Sequence, residues 1–144
     1  MSYKGKYRVK NLNKYKGDAT KIVYRSLWER NTFRWCDDNP KVVAWSSEEL
    51  VIGYRCPTDN KIHRYFTDLF IEFDSGAKYV IEIKPKAQTK PPRARNRKKL
   101  LQESFTYAKN MAKWNAATAY CQARGYEFEV WTEDTLRSLG ITIL

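Results

Sequence analysis

Alternating apolar and polar residues, or short β-rich runs, occur at five places along the chain, and each place predicts a β-strand. The predicted strands cover residues 42–45, 50–56, 64–73, 77–84 and 126–131. Asp74-Ser75-Gly76 joins the two long central runs, and this sequence predicts a tight hairpin. The centre of the chain is therefore expected to form a β-sheet.

Three segments have the features of helices. Ser26 and Glu29 form a capping-box pattern that begins a helix running to about Asp38, where Asn39-Pro40 ends it. A long helical pattern covers residues 98–124 and ends at Gly125, a typical C-cap residue. Its apolar stripe consists of Leu101, Phe105, Ala108 and Ala112. A short capped helix is expected over residues 132–140, which makes the order α-β-β-β-β-α-β-α, a mixed α/β domain.

The composition fits one folded domain. The chain has 144 residues, of which 42% are hydrophobic and 15% aromatic, enough to form a core. The sequence contains neither ~18 consecutive apolar residues nor the apolar N-terminal run of a signal peptide, so no membrane partner is expected. The three cysteines lie far apart without a CxxC pair. They predict neither disulfides nor a zinc site, and all three are expected in the core of an intracellular protein.

Positive charge is concentrated in two segments. Residues 1–21 and 84–99 together hold fifteen of the 27 Lys and Arg residues, and the formal net charge is +11. Clustered basic residues favour a polyanion such as nucleic acid, because they release counterions from a phosphate backbone. The alternative is a solvated surface that aids solubility. We therefore predict a basic N-terminal arm over residues 1–21 and a single domain over residues 22–144.

The hairpin places two acidic residues opposite each other. A three-residue loop at 74–76 pairs Glu72 with Lys78, and the same register sets Asp68 across from Glu82. Phe66, Asp68, Phe70 and Glu72 are then expected on one face of a single strand. Directly opposed carboxylates repel each other unless a cation lies between them.

A hard divalent ion such as Mg²⁺ or Mn²⁺ would relieve this repulsion. Lys84 lies two residues after Glu82 on the same face, where its ammonium could hold a water or neutralise charge on a phosphate. The alternative is a solvent-facing strand with an ordinary Glu-Lys pair. The chain has no Gly-rich phosphate loop and no Ser or Cys triad pattern, so neither a nucleotide cofactor nor a nucleophilic hydrolase is expected.

Asp68, a hairpin and Glu82-Ile83-Lys84, preceded by a helix that carries Glu29, resemble the core of the PD-(D/E)XK nucleases. The blocks that extend this resemblance are residues 24–31, 63–68, 81–86, 113–114, 124–128 and 131–140. Together they resemble the TnsA-like branch, and within it the small head completion nucleases of tailed phages, over nearly the whole chain. Thr67 departs from the motif, which has Pro before the first Asp. The resemblance implies a restriction-endonuclease-like core, a mixed β-sheet flanked by helices.

The resemblance also implies roles for individual residues. Asp68 and Glu82 match the metal-binding acids, with the Ile83 carbonyl as a further ligand of Mg²⁺, for which Mn²⁺ could substitute. Lys84 matches the catalytic lysine. Glu29 matches the acid of the first helix that completes the site, although it could instead only cap that helix.

The implied function is metal-dependent hydrolysis of double-stranded DNA, endo- or exonucleolytic, that trims or cuts packaged DNA during head completion and head-tail joining in the host cytoplasm. The residues expected to contact the DNA backbone are Lys86, Lys90, Arg93, Arg95, Arg97, Lys98 and Lys99. The resemblance also allows portal or neck proteins as partners and the virion as a second location. The main alternative is a basic head or neck protein that binds DNA ends or the portal and has a dispensable nuclease site. A transposase-like or repair endonuclease acting with a partner is a second alternative, and an RNA-binding module is a third.

Overall fold

A four-stranded mixed sheet forms the centre of the computed structural model, which describes residues 3–143. Its strands are β3 (Val42–Ser46), β6 (Leu69–Phe73), β7 (Lys78–Ile83) and β8 (Glu127–Trp131), in the order β3-β6-β7-β8. β3, β6 and β7 are antiparallel neighbours, whereas β8 runs parallel to β7 after a long helical crossover. The expectation of a mixed α/β fold with a mixed sheet flanked by helices is confirmed.

The strand predicted over residues 64–73 is wrong, because the chain changes sheets in its middle. Residues Ile62–Phe66 form β5, which pairs with β4 (Val51–Arg55) in a separate two-stranded sheet. Thr67 marks the change: its N–H donates to the Leu50 carbonyl at 3.1 Å, and its own carbonyl accepts from the Glu48 N–H at 3.0 Å. Phe66 and Asp68 therefore lie in different units rather than on one strand face, and alternation of side chains could not reveal this.

The helices begin and end close to the predicted positions. α1 covers Leu27–Asp38, α2 covers Arg97–Arg124 and α3 covers Glu133–Ser138. Gly125 ends α2 in the left-handed conformation, with φ at 72°. None of these helices, taken over the part of the chain that the structure describes, is both long and apolar enough to cross a membrane.

The predicted apolar stripe of α2 is buried only in part. Leu101 and Phe105 are exposed, while the buried positions, Asn110, Trp114, Ala117 and Cys121, lie in the C-terminal half of the helix. The reason is that the α2 residues that pack into the apolar cluster with β4, β5 and β8 lie in this half, around Trp114 and Ala117.

Two apolar clusters lie on opposite faces of the central sheet. One joins α1 and α3 to the face that carries Ile71, Ile81 and Trp131. The other joins α2 to the β4–β5 sheet around Tyr65 and Trp114. All three cysteines are buried and free, as the sequence predicts.

The N-terminal segment packs against α1 and β3 rather than standing apart. β1 (Gly5–Lys6) pairs with β2 (Val23–Tyr24), and 3₁₀ turns form at Leu12–Lys14 and Ala19–Lys21. The buried Asp37 carboxylate accepts hydrogen bonds from Tyr7 Oη at 2.8 Å, Lys10 N–H at 2.7 Å and Asn11 N–H at 3.0 Å. Burial opposes ionisation of Asp37, but these hydrogen bonds outweigh it and lower its pKa.

Met1 and Ser2 of the predicted N-terminal arm and Leu144 of the predicted domain lie outside the described residues.

Candidate active site

The hairpin between β6 and β7 has the predicted register. Glu72 lies opposite Lys78 and Leu69 opposite Ile81, and Gly76 takes a left-handed conformation with φ at 90°. Asp68 immediately precedes β6, so it lies at the end of the ladder beside Glu82 and Ile83. The Ile83 N–H donates to Asp68 Oδ2 at 2.8 Å, which fixes the carboxylate against the end of β7.

Asp68 and Glu82 form a buried acidic pair. Glu82 is only 7% exposed, and Asp68 is partly buried with its carboxylate largely enclosed by protein. Desolvation raises the pKa of Asp68 well above its usual range, and the charge and hydrogen-bonding contact of the Glu82 carboxylate raise it further. Two carboxyl groups in contact in an enclosed site are a donor set suited to a hard divalent cation.

Tyr65 holds Glu82 in place, and sequence reasoning missed this residue. Its Oη donates to Glu82 Oε1 at 2.6 Å, and both side chains are buried. Burial raises the pKa of Tyr65, and the Glu82 charge raises it further, so the phenol stays protonated and remains a donor. The single long strand expected over residues 64–73 placed Tyr65 on the face opposite Asp68. Only the change of sheets after β5 brings it to the acidic pair.

If the acidic pair holds the divalent ion that the family resemblance implies, replacing Tyr65 with Phe is expected to lower the rate of DNA cleavage at limiting metal by about tenfold, because outer hydrogen bonds to metal ligands affect affinity on that scale. Saturating metal should restore most of the rate, since the carboxylates remain. The measurement is the cleavage rate as a function of Mg²⁺ concentration. Tyr126→Phe on the same core domain serves as the matched control. An unchanged metal requirement in Tyr65→Phe would show that the hydrogen bond does not position Glu82.

Glu29 lies in the first turn of α1 and makes only half of the predicted capping box. Its N–H donates to Ser26 Oγ at 3.2 Å, but its Oε1 accepts from the Arg25 N–H at 3.0 Å rather than from that of Ser26. Burial raises the pKa of Glu29, and the Glu48 and Glu82 charges raise it further against the Arg25 hydrogen bond. The side chain therefore caps the helix and also lies within electrostatic reach of Glu82.

The three acids do not form a compact cage. Among residues 3–143, Glu29, Asp68 and Glu82 do not bring three carboxylate oxygens within 4.8 Å of one another. Asp68 and Glu82 are thus the close pair, and Glu29 stands further off.

Glu29 and Lys84 share an open groove of about 640 Å³, which Arg25 and Gln88 also line. The Lys84 N–H donates to the Trp131 carbonyl at 3.0 Å, so β8 fixes the backbone of this lysine just past the end of β7. The Arg25 guanidinium donates two hydrogen bonds to Glu48, at 3.1 and 3.0 Å. Sequence reasoning missed both members of this ion pair, because they lie 23 residues apart and neither belongs to a motif.

The basic residues after β7 are exposed on the loop and first turn before the body of α2. Lys86 is engaged with α3, because its Nζ lies 3.1 Å from Asp134 Oδ2 and its N–H donates to Glu133 Oε1 at 2.7 Å. The six others form no ion pair with any residue in the range 3–143: Lys90, Arg93, Arg95, Arg97, Lys98 and Lys99. The structure therefore leaves a free cationic surface next to a groove lined by Gln88 and Lys90.

Two comparisons with known proteins show the family of the chain. The sequence profile of the TnsA-like endonuclease N-terminal family matches residues 39–133, which contain Asp68, Glu82 and Lys84. The head completion nuclease of Enterobacteria phage T4 is 44% identical over 146 aligned residues, which cover 97% of this chain and 97% of that protein. The resemblance and the restriction-endonuclease-like fold predicted from the sequence are confirmed. The chain belongs to the TnsA-like endonuclease family.

Proposed function

We propose that this protein is a divalent-metal-dependent DNA nuclease whose ion, Mg²⁺ or in its place Mn²⁺, is held by Asp68 and Glu82. The observation that carries the proposal is the enclosed acidic pair, in which the pKa of Asp68 is raised chiefly by burial and next by Glu82. The ligand atoms that the pair offers are all carboxylate oxygens, which suits these hard cations. The Ile83 carbonyl is the third donor in this proposal.

The ion would supply Lewis acidity at the phosphate and lower the pKa of a bound water. Lys84 orients the attacking water and stabilises the negative charge that develops on the phosphoryl oxygens. Glu29 assists from the first turn of α1, either by orienting a water or by completing the ligand set. Arg25 lines the same groove, where its guanidinium, held by Glu48, would meet a phosphate backbone lying in that groove.

The biological setting follows from the likeness over 97% of the chain to a head completion nuclease of a phage. This chain is accordingly a phage head completion nuclease that acts on DNA during phage assembly in the host. We propose further that it trims or cuts packaged DNA before head-tail joining, contacts portal or neck proteins and has a place in the virion.

Cleavage of linear and closed-circular duplex DNA, with Mg²⁺ and with EDTA, tests the proposed function. We expect cutting of linear DNA that requires Mg²⁺ and stops with EDTA. Cutting of the closed circle would assign endonucleolytic activity, and its resistance would assign an exonuclease. Tight DNA binding without cleavage under every condition would contradict the proposal and support the structural head or neck protein instead.

The free cationic surface is proposed to bind the DNA backbone. Replacing Arg93, Arg95 and Arg97 together with Gln should make the slope of log K against log salt shallower by about 0.9 for each lost phosphate contact. Binding should weaken equally for DNA of different sequences, because phosphate contacts carry no sequence information. Lys86→Gln is the matched control, since the partner of Lys86 is Asp134. An unchanged salt slope in the triple variant would place the DNA elsewhere, with the N-terminal segment as the next surface to test.

A further inference from the structure

A second group of metal-ligating side chains lies at the tip of the β4–β5 hairpin, at the end opposite the acidic pair. Cys56 Sγ, a carboxylate oxygen of Asp59 and a ring nitrogen of His63 all lie within 4.8 Å of one another. Within residues 3–143, no other three Cys, His, Asp or Glu side chains converge in this way. The closest contact joins His63 Nε2 and Asp59 Oδ2 at 2.7 Å.

The backbone of the turn brings these side chains together. Cys56 N–H donates to the Lys61 carbonyl and Asn60 N–H donates to the Cys56 carbonyl, both at 2.8 Å. Asn60 adopts a left-handed conformation with φ at 59°, which folds the chain back toward Cys56. Cys56 and Asp59 therefore have the two-residue separation of paired ligands in structural zinc turns, and His63 follows on β5.

Neighbouring groups already orient the ligands. Asp59 Oδ1 accepts from the Lys61 N–H at 3.0 Å, which leaves Oδ2 directed at His63. The fully buried Cys56 has its Sγ 3.1 Å from Thr58 Oγ1. The His63 ring lies beside the Tyr54 ring, with centroids 5.9 Å apart. In metal sites, hydrogen bonds and packing contacts of this kind hold the side chains that bind the metal in position.

We propose that Cys56, Asp59 and His63 bind a Zn²⁺ ion through one sulfur, one oxygen and one nitrogen, with water in the fourth position. A thiolate with an imidazole selects Zn²⁺ over Mg²⁺, so this site is chemically distinct from the oxygen-only pair at Asp68 and Glu82. Binding replaces the hydrogen bond between His63 and Asp59 with bonds to the ion and releases the thiol proton of Cys56.

The ion would tie the turn to the start of β5. Tyr65, which donates to Glu82, lies two residues after His63 on the same strand. A bound metal at the hairpin tip thus stabilises the strand that positions a residue of the acidic pair. The site itself is independent of the proposed nuclease function and stands if that function fails.

Cobalt substitution tests the site in the full chain. Metal is first removed with EDTA, and the EDTA is then removed before Co²⁺ is added. We expect one equivalent of Co²⁺ to produce a sulfur-to-cobalt charge-transfer band in the near ultraviolet, and Zn²⁺ to remove that band by displacement. Cys56→Ser should abolish the band. His63→Ala, at a partly exposed position, should keep the fold and weaken Co²⁺ binding by at least about 10–100-fold.

Two controls separate this site from other metal binding. Cys121→Ser removes a buried thiol on α2 and should keep the band, and Asp68→Asn should also keep it because oxygen ligands give no such transition. The proposal is overturned if stoichiometric Co²⁺ gives no charge-transfer band. It is equally overturned if the band persists in Cys56→Ser, or if His63→Ala, shown to be folded by circular dichroism, binds Co²⁺ as tightly as the parent chain.

Discussion

Replacing Lys84 with Ala is expected to lower the rate of DNA cleavage by about 10²–10³-fold, the loss typical when one donor to the developing transition-state charge is removed. The backbone at this position should not move, since its N–H donates to the Trp131 carbonyl whatever the side chain. DNA affinity should fall by no more than about tenfold, because at most one of many phosphate contacts is lost. Single-turnover cleavage and equilibrium binding, measured on the same duplex, check both expectations.

Lys78→Ala is the matched control for this variant. Lys78 is the first residue of β7, whereas Lys84 directly follows its last residue, so the two lysines lie at opposite ends of the strand. The Lys78 Nζ lies 6.0 Å from the centre of the Tyr126 ring. Its replacement should leave the cleavage rate within about twofold of the parent, as expected for a surface site outside the groove. Equal losses in both variants would mean that lost positive charge, rather than the position of Lys84, limits the reaction.

Replacing Asp68 with Asn is expected to abolish most cleavage and, at the same time, to stabilise the metal-free protein near neutral pH. Loss of a metal ligand removes several kcal/mol of transition-state stabilisation, and each 1.36 kcal/mol is a tenfold change in rate, so the rate should fall by about 10³-fold. Stability should rise because Asn keeps an acceptor for the Ile83 N–H but carries no charge against Glu82.

The sign of the pH dependence follows from the raised pKa of Asp68. The folded state then binds more protons than the unfolded state, so metal-free stability falls as pH rises from about 3.9, the pKa of an unfolded Asp, through the folded pKa. The Asn variant lacks this loss. Its midpoint of thermal unfolding in EDTA should exceed that of the parent at neutral pH. Each kcal/mol gained in the free energy of unfolding should raise the midpoint by about 2–4 °C.

Thermal unfolding with and without Mg²⁺ provides the decisive comparison. Mg²⁺ should raise the midpoint of the parent chain, because a ligand that binds only the folded state stabilises it, and should leave Asp68→Asn nearly unchanged. Glu72→Gln, on the same hairpin but opposite Lys78, is the control and should respond to Mg²⁺ like the parent. A variant no more stable than the parent in EDTA, or one with an equal response to Mg²⁺, would contradict the account of the acidic pair.

Local chemistry made part of the site predictable from the sequence. Asp74-Ser75-Gly76 favours a three-residue hairpin loop, and the register of that loop sets Glu72 opposite Lys78 and brings Asp68 to the end of β7. Ser26 likewise marked the start of α1 and with it the position of Glu29. These relations depend on a few neighbouring residues, whose backbone preferences and hydrogen bonds are nearly the same in any fold.

Contacts between distant segments were not predictable in this way. Alternation extended the strand through Thr67, whereas the hydrogen bonds of Thr67 to Leu50 and Glu48 divide it between two sheets. The apolar positions at the start of α2 follow a helical period without having a surface to cover. The spacing of apolar residues indicates whether a segment is a helix or a strand. Whether that segment has a surface to pack against depends on where the other elements lie.

The sequence by itself determined the class of fold, the family, the hairpin register and the acids that meet at its end, because turn chemistry and a distinctive set of motifs specify them locally. Only the tertiary structure decided that Tyr65 holds Glu82, that Lys86 is paired with Asp134 while its basic neighbours have no ion-pair partner among residues 3–143, and that Arg25, paired with Glu48, borders the groove. These contacts join elements from separate parts of the chain, so their geometry is set by the packing of sheets and helices rather than by spacing along the sequence.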